Sequence, residues 1–476
     1  MHNTLEKRKA HMAGLLKRDN GMSEEDVLFR EKSRVFKYRI LSVQIFIILT
    51  CLMLYFFLSN DTYNKYNPVN IFIFCISLII CLLGINDIRK NGIRTYNVFL
   101  LSFYLFLLWN TLNISSLQFE KEFSDLYYYF VGPLLFSIFI FIGDRLPIKE
   151  TKIVDNKVNK RSSALIILVF VIYLLLSYYI YTQVGLKIFS DKLLRYTSND
   201  EYAVPGFSGL AYTLMWTMII FVPHMKKYLN MLIVPFIVLY SGVLQFNRGN
   251  IFRIVLFMII YYCYKKGKSL LEPKKIVAMI VVISILIIFF GYIGEVRQTD
   301  INNVFDIKDL TQSSYNSKTL NWIYNYTAMN FDVIKIYFNL EPYYLPSTLL
   351  VPFMRLIGNR EYVLKYYSPP DYSLGITNSS TFLSGFIRDY GSYYLIELSV
   401  FGFMICLLQI TIRKLRFMGL YFFVQMYIVF FFFGNYLTEP LFLSVAIFSL
   451  FLYICCNLNL KALQPGLGLR RSGHSL

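Results

Sequence analysis

Arginines at the margins of apolar stretches are the residues in this sequence best suited to chemistry. Arg248 and Arg253 flank the turn Phe246-Asn-Arg-Gly-Asn250, and Arg297 follows Gly294-Glu-Val; Arg195, Arg355, Arg360 and Arg388 lie in the two longest segments between apolar runs. A guanidinium within a turn or two of hydrocarbon is costly unless it is paired or bound to an anion. Its planar fork donates two parallel hydrogen bonds and stays charged, which suits a phosphate or pyrophosphate. The competing reading is a side chain that snorkels to lipid headgroups; it applies to Arg253 and Arg355 more than to Arg248, which sits in a turn beside Gly249. Carboxylates in the same regions are Glu295, Asp332, Asp371, Asp389 and Glu439. Asp389, in Phe386-Ile-Arg-Asp-Tyr-Gly391, stands at the mouth of an apolar stretch. Desolvated there, it could take a proton from a hydroxyl; it could equally cap the helix that follows or pair with Arg388. Tyr343, Tyr344, Tyr362, Tyr366, Tyr367 and Tyr372 offer flat surfaces with polar tips for a carbohydrate, or plain interfacial packing.

Other chemistries are excluded cheaply. Histidine occurs only at His2, His11, His224 and His474, all on the cytoplasmic side of the topology below, so no external histidine base is available. There is no glycine-rich phosphate loop and no acidic doublet spaced for a divalent ion, so neither a metal nor another cofactor is expected. The seven cysteines all fall inside apolar stretches, which disfavours disulfides and zinc.

What must position these residues is a membrane bundle. The sequence is 56% hydrophobic and 16% charged, against roughly a quarter charged for a soluble domain. The apolar residues come in stretches of about 17–22, each long enough to cross a hydrocarbon core of roughly 30 Å. The reading is an all-α, polytopic membrane protein of about twelve spans. Nine precede residue 294: Tyr38–Ser59, Pro68–Ile85, Val98–Ser116, Leu126–Ile142, Ser163–Thr182, Phe207–Pro223, Leu229–Phe246, Ile251–Tyr264 and Ile276–Ile293. Three follow residue 392: Tyr393–Ile412, Phe417–Phe433 and Pro440–Cys456. Lys and Arg fill every second short loop, as in Arg89/Lys90/Arg94 and Arg413/Lys414/Arg416, which places both termini in the cytoplasm. The net charge of +18 is therefore topology, and nucleic acid is not a partner. The chain divides into a basic cytoplasmic arm (1–37), helices one to nine with an external segment at 183–206 (38–293), a large external loop (294–392), helices ten to twelve (393–457) and a cytoplasmic tail (458–476). Long loops in compact proteins usually carry function, so the site is expected on the external face. Within the long loop, Leu345–Ile357 reads as an amphipathic helix lying in the interface.

The many spans, the two large external segments, the Asn247-Arg-Gly-Asn250 turn and the Asn378-to-Gly391 stretch with Arg388-Asp-Tyr-Gly391 resemble the bacterial O-antigen polymerases, which join oligosaccharide repeat units. That family carries, in each of two external loops, an arginine followed after ten residues by a glycine. Arg195 and Gly206 match this spacing; the long loop does not, because the residues eleven after Arg297, Arg355 and Arg360 are Lys308, Tyr366 and Asp371. The resemblance implies a glycosyltransferase of GT-C-like architecture in the inner membrane, with its site facing the periplasm. It would move a growing glycan from undecaprenyl pyrophosphate onto a new lipid-linked repeat unit, in cooperation with a chain-length regulator and a flippase. Joined to the physical reading, it gives Arg248, Arg195 and Arg297 the charge that develops on the leaving pyrophosphate and Asp389 the acceptor proton. Gly206, Gly249, Arg253, Arg355, Asn378 and Arg388 would line the substrate and the surrounding lipid. The alternatives are a flippase for the same lipid-linked oligosaccharide, which should carry its charges within the spans, and an O-antigen ligase, whose family typically relies on an external histidine.

Overall fold

The computed structural model describes residues 66–147, 160–186, 204–245, 248–266, 317–367 and 381–457, with single positions at 55, 285 and 288. By backbone contacts the chain divides into Met1–Ser59 and Asn60–Leu476, and the helices below belong to the second unit. No strand occurs among the described residues. The helices are α1 (Pro68–Asn91), α2 (Thr95–Asn110), α3 (Tyr127–Arg145), α4 (Lys160–Val184), α5 (Phe207–His224), α6 (Lys227–Ile237) and α7 (Arg248–Lys266). After them come α8 (Lys318–Thr327), α9 (Asn330–Phe338), α10 (Ser347–Leu356), α11 (Arg360–Tyr367), α12 (Leu383–Tyr390), α13 (Leu395–Leu415), α14 (Met418–Val429) and α15 (Pro440–Asn457). Five of these, α1, α3, α4, α5 and α13, are long and apolar enough to cross a membrane. The chain is a helical membrane protein. The apolar runs at Tyr38–Ser59 and Ile276–Ile293 lie outside the described residues, apart from isolated positions.

Local chemistry sets where the helices begin and end. The Asn67 side chain accepts from the Val69 and Asn70 amides at 2.9 and 3.4 Å, Pro68 opens α1, and Gly92 ends it at φ 77°. In α6, Pro235 cannot donate to the carbonyl one turn back, and the helix continues from Val238 to Leu244 with π geometry.

Between helices in lipid there is little hydrophobic driving force, so close packing and buried hydrogen bonds hold the bundle. At Gly419, where α14 crosses α5, a Cβ would lie 1.7 Å from the Ile220 carbonyl oxygen; only glycine permits this crossing. At the bundle end rich in Arg and Lys, Asp144 of α3 accepts from Thr95 Oγ1 (3.2 Å), the Tyr96 amide (3.1 Å) and Tyr421 Oη (2.7 Å), tying α2, α3 and α14 together.

At the opposite end, α8 and α9 are bound to the 111–126 connection through Asp332. Its carboxylate accepts from Lys121 Nζ (2.5 Å), Asn110 Nδ2 (2.5 Å), Gln118 Nε2 (2.9 Å) and the Phe119 amide (3.3 Å), and both Asp332 and Lys121 are buried. Further along, Phe382 stacks on Phe431 with centroids 4.6 Å apart, and Leu383, Phe386 and Ile387 are fully buried with it. The last stretch of the long polar segment is thus part of the packed core, and it carries Arg388 and Asp389 with it.

Candidate functional site

Two arginines that are distant in sequence lie near enough to one carboxyl, at the end of the bundle opposite the basic loops, for their charges to act on it. Arg253 lies near the start of α7, Arg355 in the last turn of α10, and Glu439 immediately precedes α15. Both guanidinium charges act on the Glu439 carboxyl. Packing explains the approach: α7 lies on α14, while α10 lies on α15 and on the short 436–438 turn that leads to Glu439. Arg253 donates from Nη1 to Tyr212 Oη at 3.0 Å and stands 5.8 Å from the Tyr427 ring centroid. These contacts, from α5 and α14, hold the guanidinium at the bundle mouth by a hydrogen bond and by attraction to the ring face. Arg355 is exposed, so the site opens on the α10 side.

Burial pushes the Glu439 carboxyl above its ordinary range, and the two guanidinium charges work against that rise. The arrangement has two fixed positive charges, one titratable acid and two phenols. Such a group can hold a doubly charged anion on the forks of the two arginines while leaving the carboxylate to accept a proton.

Asp389 stands elsewhere and is already engaged. It is fully buried near the end of α12, where its carboxylate accepts from Ser347 Oγ and, at 2.6 Å, from the Thr348 amide. Those are the first groups of α10, so Asp389 caps α10 rather than the helix that follows it in sequence. Burial pushes its pKa up, and the bonds from Ser347 and Thr348 oppose the rise. Glu397, buried in the first turn of α13, faces Asp389 and the Leu349 amide of α10. Arg388 turns away: it donates to the Glu341 carbonyl at 2.5 Å and lies 4.2 Å from the Tyr343 ring centroid, binding the 341–344 strand of loop to α12.

Of the other residues singled out in the sequence, Arg195, Arg297 and Asn378 lie outside the described residues. Arg248 begins α7 with Gly249 beside it, and Gly206 precedes α5 at φ 78°. The charges of Arg253 and Arg355 thus act on Glu439, whereas Asp389 and Arg388 are engaged with α10 and with the loop before it. Asp332, another candidate acid, is consumed by the Lys121 network. Sequence reasoning passed over Tyr212, Tyr427 and Glu397. Glu397 had a usable signal, being an acid inside an otherwise uncharged apolar stretch; the tyrosines had none, because they are two among 39. Leu345–Ile357 does hold a helix, α10, whose exposed side carries Phe353, Leu356 and Ile357. Among the described residues no cluster of His, Cys, Asp and Glu could hold a metal ion. No protein-family model, curated protein or solved structure matches the chain.

Proposed function

We propose that this chain is a glycosyltransferase of the O-antigen polymerase type, with about twelve spans in a GT-C-like arrangement in the bacterial inner membrane. It joins undecaprenyl-pyrophosphate-linked repeat units at the periplasmic face and works beside a flippase and a chain-length regulator. What supports the reading is the packing of α7 on α14 and of α10 on α15, which puts the charges of Arg253 and Arg355 on the Glu439 carboxyl at the bundle mouth. A soluble donor would not need this depth; a lipid pyrophosphate, whose phosphates sit at the membrane surface, would.

In this reading the donor pyrophosphate takes the two guanidinium forks. Arg248, about a turn and a half ahead of Arg253 on the same helix, adds charge with Arg195 and Arg297. The acceptor hydroxyl oxygen attacks the anomeric carbon, forming the new glycosidic bond. The bond from that carbon to the pyrophosphate oxygen breaks, its electron pair leaves with the pyrophosphate, and the hydroxyl proton passes to Glu439. Because the leaving group is already stable as an anion, positive charge where the negative charge grows supplies most of the catalysis. Glu439 replaces Asp389 as the base because both Asp389 oxygens already accept hydrogen bonds from α10.

The lipopolysaccharide of a deletion strain complemented with Arg253→Ala, Arg355→Ala or Glu439→Gln tests this. Cores capped by a single repeat unit, with the ladder lost at normal membrane protein level, are expected for each. An intact ladder with all three variants would overturn the assignment, and loss of the single capped unit would indicate a flippase or ligase.

A further inference from the structure

The long polar segment contributes one member of the arginine pair, and α10 is the lever that carries it. This helix has ten residues and is roughly 15 Å long. Arg355 lies in its last turn; its first turn is held by side chains of the segment that follows. Ser347 Oγ and the Thr348 amide both donate to Asp389, which is fully buried. The same α12 residues grip the loop before α10, since the Tyr343 and Tyr344 amides donate to the carbonyls of Arg388 (3.1 Å) and Asp389 (2.8 Å). At Gly385, on the α12 surface, a Cβ would lie 2.6 Å from Thr348 Oγ1, so the two helices touch at this point. Behind Asp389 stands Glu397, buried in α13 and facing both Asp389 and the Leu349 amide in the first turn of α10.

We propose that Asp389, backed by Glu397, is a positioning residue that fixes the first turn of α10 and thereby sets Arg355 against Glu439. The proposal rests on the anion-site reading of Arg253, Arg355 and Glu439. A tilt of about ten degrees at the capped end would carry Arg355 on the order of 2–3 Å, enough to break a bidentate contact. Asp389 itself touches neither donor nor acceptor.

The test uses the full chain in detergent micelles, with inorganic pyrophosphate as the binding probe and amide hydrogen exchange as an independent readout. Arg355→Ala is expected to weaken pyrophosphate binding about tenfold, the loss of a charge-assisted contact. Asp389→Ala is expected to weaken it by about as much, and the double variant should bind no worse than Arg355→Ala alone. Asp389→Asn, which still accepts from the Thr348 amide, should recover most of the affinity. Exchange should rise across Ser347–Leu356 in Asp389→Ala while α3 and α13 keep their protection, and it should stay at the native level in Arg355→Ala. Ser347→Ala, which removes one bond and leaves the fold intact, should show a smaller rise in the same segment. Losses that multiply in the double variant, or unchanged exchange over α10 in Asp389→Ala, would overturn the proposal. If the native chain binds no pyrophosphate, the anion-site reading fails; the exchange result then still decides whether Asp389 fixes α10.

Discussion

Removing either partner of the Lys121–Asp332 pair should destabilise the protein by clearly different amounts, although the ion pair lost is the same. In Asp332→Leu the Lys121 ammonium, whose side chain is 1% exposed, keeps only Tyr129 Oη at 3.3 Å. The Phe119 amide loses its partner, while Asn110 and Gln118 retain the carbonyls of Ala328 (2.8 Å) and Asn110 (3.1 Å). An uncompensated buried charge costs about 3–5 kcal/mol. In Lys121→Met the flexible thioether fills the vacated space, and Asp332 keeps Asn110, Gln118 and Phe119 as donors. That variant loses one charge-assisted hydrogen bond, about 1.5–3 kcal/mol. Asp332→Leu should therefore be the worse by about 1–3 kcal/mol, and the double variant should cost less than the sum because no charge is stranded. Unfolding of the purified protein in mixed micelles measures this, followed by fluorescence of Trp109, whose ring lies 5.6 Å from that of Tyr324 in the same region. Lys121→Met costing as much as Asp332→Leu, or strictly additive losses, would show that the three remaining donors do not compensate the Asp332 carboxylate.

Other consequences concern the site and the helix crossings. Glu439 has a folded-state pKa above the ordinary 4.5, so stability linked to it is full below 4.5 and lost as pH rises through the folded value. Its work as a base runs the other way: the acidic limb of the pH–rate profile should lie above 4.5 and disappear in the residual activity of Glu439→Gln. Arg253→Lys keeps the charge but loses the fork and the Tyr212 contact; a drop in polymerisation of tenfold or more is expected, about 1.4 kcal/mol of transition-state stabilisation, and a rate equal to native would show that charge alone suffices. Gly419→Ala places a methyl against the Ile220 carbonyl and should destabilise the α5–α14 crossing by about 1–3 kcal/mol, read as a lower unfolding midpoint.

The helices were legible where long apolar runs left the chain no alternative to internal hydrogen bonding. Pro68–Asn91 and Leu395–Leu415 are examples, their ends marked by a capping Asn67 and by basic last turns. The core role of α12 was not legible. Its eight residues include Arg388 and Asp389, and nothing local announces that Phe382 will stack on Phe431, far along the chain. The arginines stand out in the sequence because a guanidinium beside hydrocarbon needs a partner, an anion or a headgroup to snorkel to, and for Arg253 and Arg355 the sequence leaves those readings open. Their approach to Glu439 depends on α10 packing on α15, a tertiary fact with no periodicity to reveal it. Asp389 shows the same limit at closer range. Capping was one of its readings, yet the helix it caps begins 42 residues upstream of it, at Ser347.

Polymerisation is tested most directly by a reaction with purified components: the chain in proteoliposomes, given undecaprenyl-pyrophosphate-linked repeat units. Linked repeats are expected, with one undecaprenyl pyrophosphate released per new linkage, the rate falling sharply in Glu439→Gln and lost in Arg253→Ala combined with Arg355→Ala. Transfer of the lipid-linked units across the bilayer without any new linkage would contradict the polymerase reading.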